Sequence, residues 1–165
     1  MNRYLFFFII VLFIGCDKTE DNIFTQTPDE RLKATADEYR EALFSAPNGW
    51  FLAVDTKKDG AYRLWMSFEE NERVGMLSDM DATFSKAGET SVVPCISSWR
   101  LKALLAPSLI FDTYSYLHIL ADPQGANNGG SNSEGLISDF EFRIVDTDNG
   151  GINLIGNYNG RLARM

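Results

Sequence analysis

The chain has 165 residues, and its 23 Asp and Glu residues against 15 Lys and Arg give a net charge of −8. Such an acidic chain is not attracted to nucleic acid or to anionic lipid headgroups, so nucleic acid is excluded as a partner. The length predicts one domain with a core large enough to fold without disulfides or metals, and we expect no metal or cofactor.

Residues 1–15 have the pattern of a lipoprotein signal peptide. Arg3 gives a positive start, Leu5–Phe13 forms an apolar middle, and Gly15 is the small residue before cleavage. A spanning helix needs about 20 apolar residues, and charged residues follow Cys16 at once. We therefore predict cleavage before Cys16 and lipidation of that cysteine, with an ordinary secretory signal as the alternative.

Lipid on Cys16 predicts a permanent attachment to the membrane, because two or more acyl chains give stable anchoring. Residues 16–26 carry several charges and few large apolar side chains. Such a segment buries too little surface to order itself. We predict a flexible tether at 16–26 followed by one folded domain at 27–165.

A helix opens the predicted domain. Thr27 is placed as an N-cap, Pro28 as the first helical residue and Glu30 as the third, which is the capping-box pattern. Apolar residues then recur at helical spacing. The turn formers at 47–49 predict the end of the helix.

After this helix the hydrophobic period changes from 3.6 to 2, which predicts strands. The alternating segments are 50–55, 62–68, 74–76, 98–105, 109–114, 140–145 and 152–158. One or two helical turns are predicted at 116–121. The Gly, Asn and Ser residues of 124–134 predict a mobile loop without helix or strand.

One helix with about seven or eight strands and no βαβ spacing indicates an α+β, β-dominated domain. We predict that the N-terminal helix packs on a curved antiparallel sheet or a partly open barrel. Residues 161–165 have the pattern expected for the beginning of another strand. This predicts a last strand that is cut short at the C-terminus and leaves an exposed sheet edge.

Five segments together resemble a Bacteroidetes lipoprotein family named domain of unknown function 4302. They are Pro28-Asp29-Glu30-Arg31, Ser45-Ala46-Pro47-Asn48-Gly49-Trp50, Leu109-Ile110-Phe111-Asp112-Thr113-Tyr114, His118-Ile119-Leu120-Ala121-Asp122-Pro123 and Asp139-Phe140-Glu141-Phe142. Members are typically longer, so this chain resembles a shortened or N-terminal portion.

The resemblance implies a role at the outer membrane. Genes of the family tend to lie beside nutrient-import pairs of the SusC/SusD type, often with a zinc metallohydrolase lipoprotein, so such a transporter pair is an expected partner. The acidic stretch 17–21 resembles signals that send Bacteroidetes lipoproteins to the cell exterior. The family has no established catalytic residues, and the resemblance assigns none here.

The residues themselves give little support for catalysis. His118 is the only histidine, no Gly-x-Ser-x-Gly motif is present, and Asp112-Thr113 lacks the small residue that an aspartic protease signature needs next. We interpret His118 as a hydrogen-bonded structural residue. Asp146–Gly151 resembles the opening of a calcium loop, but its later positions lack the oxygen ligands of an EF-hand, which favours a turn.

Aromatic residues are the candidate ligand-binding residues. Trp65 lies on the opposite strand face from its apolar neighbours, where it is either exposed for stacking or, as we favour, covered by the helix beneath Tyr39 and Leu43. Tyr114 and Tyr116 flank the end of a strand, where a curved sheet forms a cleft. Cys95 among apolar neighbours is predicted to be a buried, inert thiol.

Three classes of function remain on this evidence. The first is a non-catalytic surface lipoprotein that captures a ligand or supports an import complex. The second is a hydrolase whose carboxylates are dispersed along the chain, since geometry rather than sequence selects such a pair. The third is a structural surface protein without a ligand.

Overall fold

A computed structural model describes residues 26–80, 94–103 and 106–165. The predictions for the signal peptide, for Cys16, for the acidic stretch and for nearly all of the tether fall outside these ranges. Within them, no helix is long and apolar enough to cross a membrane.

The predicted first helix is confirmed as α1, Pro28–Phe44. The Glu30 backbone N–H donates to Thr27 Oγ1 at 3.2 Å, and the Thr27 N–H donates to Glu30 Oε2 at 2.8 Å. These bonds form the predicted capping box, and the bond from the Thr27 backbone is the main cause that lowers the pKa of Glu30. The helix is followed by the turn that leads into the first strand.

Eight antiparallel strands follow and form a closed barrel in which each strand pairs with its neighbour in sequence. Their bounds are β1 Trp50–Asp55, β2 Ala61–Phe68, β3 Arg73–Ser78, β4 Cys95–Ala103, β5 Pro107–Phe111, β6 Glu141–Asp148, β7 Gly151–Gly156 and β8 Leu162–Arg164. The β-dominated class is confirmed, but the barrel is closed rather than partly open.

The prediction of an exposed last edge is wrong. Strand β8 pairs with β7, and it also pairs with β1 through Ala53 opposite Arg164 and Val54 opposite Ala163. Met165 continues the ladder by exchanging backbone hydrogen bonds with Ile152 at 2.9 Å. Three residues of strand are therefore enough to close the sheet, and neither side of β8 is left unpaired.

Two predicted segments on either side of α2 differ from the structure for local reasons. Strand β5 ends at Phe111 rather than at 114, because the chain bends there to reach Ser115, the N-cap of helix α2, Tyr116–Ala121. The 124–134 loop holds a 3-10 turn, Gly125–Asn127. It is organised around Asn128, which is 2% exposed and donates to the carbonyls of Ile119 and Asp122.

Alternate residues of the strands fill the barrel, and a helix closes each end. At the end where β1 begins, α1 places Phe44 edge-on against the buried Trp99 ring at 5.6 Å. At the opposite end, α2 inserts Leu117 and Leu120, both 0% exposed. Within the described ranges, the interior is filled by a cluster of buried apolar side chains.

Candidate functional site

A cavity of about 500 Å³ lies at the α2 end of the barrel. This volume is within the range of small-molecule pockets. Its lining comes from three neighbouring segments, namely the end of α2 with its following residues, the segment that enters β6, and the β7–β8 turn. The lining residues are Ala121, Pro123, Glu134, Ile137, Ser138, Asp139, Phe140, Glu141, Asn157, Tyr158 and Asn159.

Two aromatic residues of the described ranges line the cavity, and Tyr158 is the more exposed of them, with 94% of its surface accessible. The β7–β8 turn that carries Tyr158 is hydrogen-bonded to the carboxylate of Asp139, which is 2% exposed. Asp139 Oδ1 accepts from the backbone N–H groups of Tyr158 at 3.0 Å and Asn159 at 2.8 Å, and Oδ2 accepts from the N–H of Arg161 at 3.1 Å. The ring is therefore presented to solvent on a fixed backbone.

The sequence favours this turn locally. Gly160 has φ +67°, a conformation that a side chain disfavours. Gly156 allows the close approach of Asp139, because a Cβ at that position would collide with the carboxylate. Asn159 adds a bond from Nδ2 to the Ser138 carbonyl at 2.7 Å.

Ser138 is unusual among the residues that line the cavity. Its side chain is 0% exposed, and its Oγ has no hydrogen-bond partner within the described part of the chain. A buried hydroxyl without a partner costs about 1–3 kcal/mol. The hydroxyl is therefore an unpaired polar group within the wall of the cavity.

The three described carboxylates that line the cavity differ in whether they already have a bonding partner. Glu134 forms an exposed ion pair with Lys58 at 2.7 Å, whose hydrogen bond lowers the pKa of Glu134. Asp139 holds the Tyr158 turn. Glu141 is half-buried, and its side chain has no ion-pair or hydrogen-bond partner among the described residues.

A stack of three rings adjoins the cavity wall. The His118 ring lies 4.3 Å from the Phe140 ring and 5.7 Å from that of Tyr114, both in stacked orientation. The Ser115 backbone N–H donates to His118 Nδ1 at 3.2 Å. The other ring nitrogen then carries the proton.

Burial is the main cause that lowers the pKa of His118, while the Asp112 carboxylate and the Phe111 carbonyl raise it in part. The neutral ring is therefore favoured. Nδ1 is bonded within the N-cap of α2, and this agrees with the interpretation of His118 as a structural residue. Asp112 is paired with Arg100 at 2.8 Å.

The structure separates the two predicted tyrosines. Tyr114 is 46% exposed, and burial, followed by the charge and the hydrogen bond of Asp122, raises the pKa of its hydroxyl. Tyr116 is 2% exposed and belongs to the core cluster. A ligand at the surface can contact Tyr114 but not Tyr116.

Trp65 lies on the outer face of the barrel, as the alternation predicts. Its indole N–H donates to the Asn48 carbonyl at 2.7 Å, and its ring lies over Gly49. The favoured prediction that α1 covers it is wrong, because Tyr39 and Leu43 pack into the interior cluster, which does not include Trp65. Trp65 is thus half-buried against Asn48 and Gly49, and it is not among the residues that line the cavity.

The possible calcium loop is a hairpin turn, as predicted. Asn149 with φ 46° and Gly150 with φ 78° form the two-residue connection between β6 and β7. Asp148 is bonded to Arg164 at 2.6 Å, and this bond is the main cause that lowers the pKa of Asp148. Within the ranges that the structure describes, no group of three or more His, Cys, Asp or Glu is placed to hold a metal ion.

Cys95 is half-buried rather than fully buried, with its Sγ 3.9 Å from the Tyr114 carbonyl. The residue that sequence reasoning missed is Tyr158, which the predicted strand 152–158 placed inside the sheet. The run Asn157-Tyr158-Asn159-Gly160 is typical of a turn. That signal indicates that the strand ends before Tyr158.

The fold and the site define a small closed antiparallel barrel with helices at both ends and a surface cavity beside an exposed tyrosine. The chain belongs to the family described as Domain of unknown function (DUF4302), whose model matches residues 20–165. No curated protein and no solved structure matches it.

Proposed function

We propose that this protein is a lipid-anchored, non-catalytic lipoprotein of the bacterial outer membrane, facing the cell exterior, that captures a ligand as an accessory of a nutrient-import system. Membership in the family supports the proposal through the resemblance described above. The signal-peptide pattern before Cys16 supports the anchor. The expected partners are the membrane, through lipid on Cys16, and a transporter pair of the SusC/SusD type.

The observation that carries ligand capture is the presentation of Tyr158. An aromatic ring that is 94% exposed gains nothing for the core, yet a buried carboxylate fixes its backbone beside a cavity. A tyrosine on a fixed backbone is an efficient contact group, because only its two side-chain torsions lose freedom when it binds. This arrangement favours a binding protein over a structural protein without a ligand.

The hydrolase alternative gains no comparable support. Asp139 and Glu141 both line the cavity, but the two oxygens of Asp139 already accept three backbone N–H bonds. A carboxylate committed in this way serves the fold. The lone histidine likewise accepts a backbone hydrogen bond at Nδ1, from Ser115.

Replacement of Cys16 by serine is expected to abolish lipidation, because serine lacks the thiol that accepts the diacylglyceryl group. The Cys16→Ser protein should move from the membrane fraction to the soluble fraction, as measured by fractionation and by mass spectrometry of the N-terminal peptide. Cys95→Ser is the matched control and should remain membrane-bound. An unmodified peptide that begins upstream of Cys16 in the native protein would contradict the anchor, and full protection from protease added to intact cells would contradict the exterior location.

Purification of the full lipidated chain from detergent-solubilised membranes tests the accessory role. We expect a TonB-dependent transporter and its lid lipoprotein to be recovered with it, and we expect Tyr158→Ala to impair growth on the imported nutrient. Phe51→Ala is the matched control, since this ring is 68% exposed on β1, away from the α2 end. Recovery of the protein alone, together with normal growth of the Tyr158→Ala strain on every substrate, would remove the basis of the proposal.

A further inference from the structure

The cavity beside Tyr158 combines an apolar wall with negative charge. Ala121, Pro123, Ile137 and Phe140 supply apolar surface, and three of the remaining lining residues are acidic. None of the described residues that line it is Lys or Arg. An anionic ligand is therefore repelled.

Glu141 is the carboxylate that a ligand can use. The nearby acids are already bonded, Glu134 to Lys58 and Asp139 to the Tyr158 turn. Glu141 is half-buried without such a partner in the described ranges. A neutral ligand that covered this carboxylate would remove water from it without replacing the lost interactions, which is unfavourable.

The Ser138 hydroxyl is a second, independent feature of the same cavity. It is fully buried and has no hydrogen-bond partner among the described residues. Native proteins leave few such groups unpaired, and the exceptions call for an explanation such as a bound water or ligand. The Ser138 hydroxyl lies within the wall rather than on its surface, so a ligand with hydrogen-bond donors meets Glu141 first.

We propose that this cavity binds the basic side chain of a peptide, with lysine as the representative case. A lysine side chain has an apolar stem and a charged head. The stem fits the wall formed by Pro123, Ile137 and Phe140, while the ammonium group meets the Glu141 carboxylate and the face of the Tyr158 ring. Cations bind to the faces of tyrosine rings. This inference rests on the proposed capture role and names the class of ligand.

Calorimetric titration of the full-length protein in detergent tests the proposal with blocked tripeptides. The probes are acetyl-Ala-Lys-Ala-amide, its norleucine analogue, which keeps the stem without the charge, and its glutamate analogue. We expect the lysine peptide to bind about fivefold more tightly than the norleucine peptide, given the strength of cation–aromatic and exposed ionic contacts. The glutamate peptide should not bind, and added salt should lower the affinity of the lysine peptide.

Variants assign the effect to the cavity. Glu141→Gln should reduce the preference for lysine over norleucine to about twofold, because the amide removes the charge and keeps the shape while the contact with the Tyr158 ring remains. Tyr158→Ala should lower the affinity of the lysine peptide about fivefold. The control Glu70→Gln removes a charge from the exposed β2–β3 turn, and it should leave binding unchanged.

Equal binding of the lysine and norleucine peptides would overturn the proposal, as would an unchanged preference in Glu141→Gln. Binding of the neutral sugar cellobiose without binding of the lysine peptide would also overturn it, but the protein would then still capture a ligand. Failure of the capture role has a different signature, namely recovery of the protein from membranes without a transporter together with normal growth of the Tyr158→Ala strain. The two outcomes are therefore distinguishable.

Discussion

Replacement of Trp99 by alanine is expected to lower the free energy of unfolding by about 3–5 kcal/mol, the range for large aromatic residues in cores. Trp99 is 1% exposed at the junction between the barrel and α1. Its ring contacts Phe44 and Phe68 edge-on, with the Arg40 guanidinium 5.1 Å from its centroid. Its indole N–H also donates to the Arg73 carbonyl at 3.1 Å.

The loss would be a large share of the about 5–15 kcal/mol that stabilises an ordinary domain. Urea denaturation followed by far-UV circular dichroism measures it without depending on tryptophan fluorescence. Trp65→Ala is the matched control, because that ring is half-buried on the outer face and should cost less than half as much. An equal loss for the two variants, or a loss below about 1 kcal/mol for Trp99→Ala, would contradict the assignment of Trp99 as the contact between helix and barrel.

The strands could be predicted from the sequence because their signal is local. In β2, the buried Leu64 and Met66 alternate with the less buried Arg63 and Trp65, and this period is visible in any short window. The capping box of α1 is local in the same way, since Thr27 and Glu30 are three positions apart. Short-range patterns of this kind establish elements and their faces.

Closure of the barrel could not be predicted by the same means. It depends on the pairing of Ala53 and Val54 with a strand of three residues at the other end of the chain. No pattern within β8 indicates which strand will lie on its second side. The sheet closes because the accumulated twist of the preceding strands brings β1 to β8, which is a property of the whole sheet.

The candidate site shows a similar division. Tyr114 is 46% exposed, but Tyr116 is the first residue of α2 and its ring lies in the core. The neighbouring positions differ because the chain changes from extended to helical between them. Tyr158 could be recognised only once the turn and its support by Asp139, about twenty residues earlier, were known.

Replacement of Asp139 by alanine is expected to lower the free energy of unfolding by about 3–5 kcal/mol and to release the Tyr158 turn. The carboxylate is 2% exposed and accepts three backbone N–H bonds, which alanine would leave without a partner. Each buried polar group left unpaired costs about 1–3 kcal/mol, and access of water to the loosened turn limits the total. Asp139→Asn should cost less, about 2 kcal/mol, because its oxygen can still accept from Tyr158 and Asn159 while its NH₂ group faces the Arg161 N–H.

Hydrogen exchange separates an effect on the turn from a general loss of stability. In Asp139→Asn we expect the amides of Tyr158, Asn159 and Arg161 to exchange faster while those of β2 keep their protection, because β2 pairs with β1 and β3 and has no contact with the turn through the sheet. The control Asp146→Ala removes an exposed carboxylate that is bonded to Asn153, and it should change stability by less than about 1 kcal/mol. Full protection of the turn in Asp139→Asn would show that Asp139 does not hold Tyr158, and the ring would then be a mobile surface residue rather than a fixed contact for a ligand. Faster exchange at the turn, together with weaker binding of the lysine peptide, would show that the buried carboxylate acts as a positioning residue for the exposed ring.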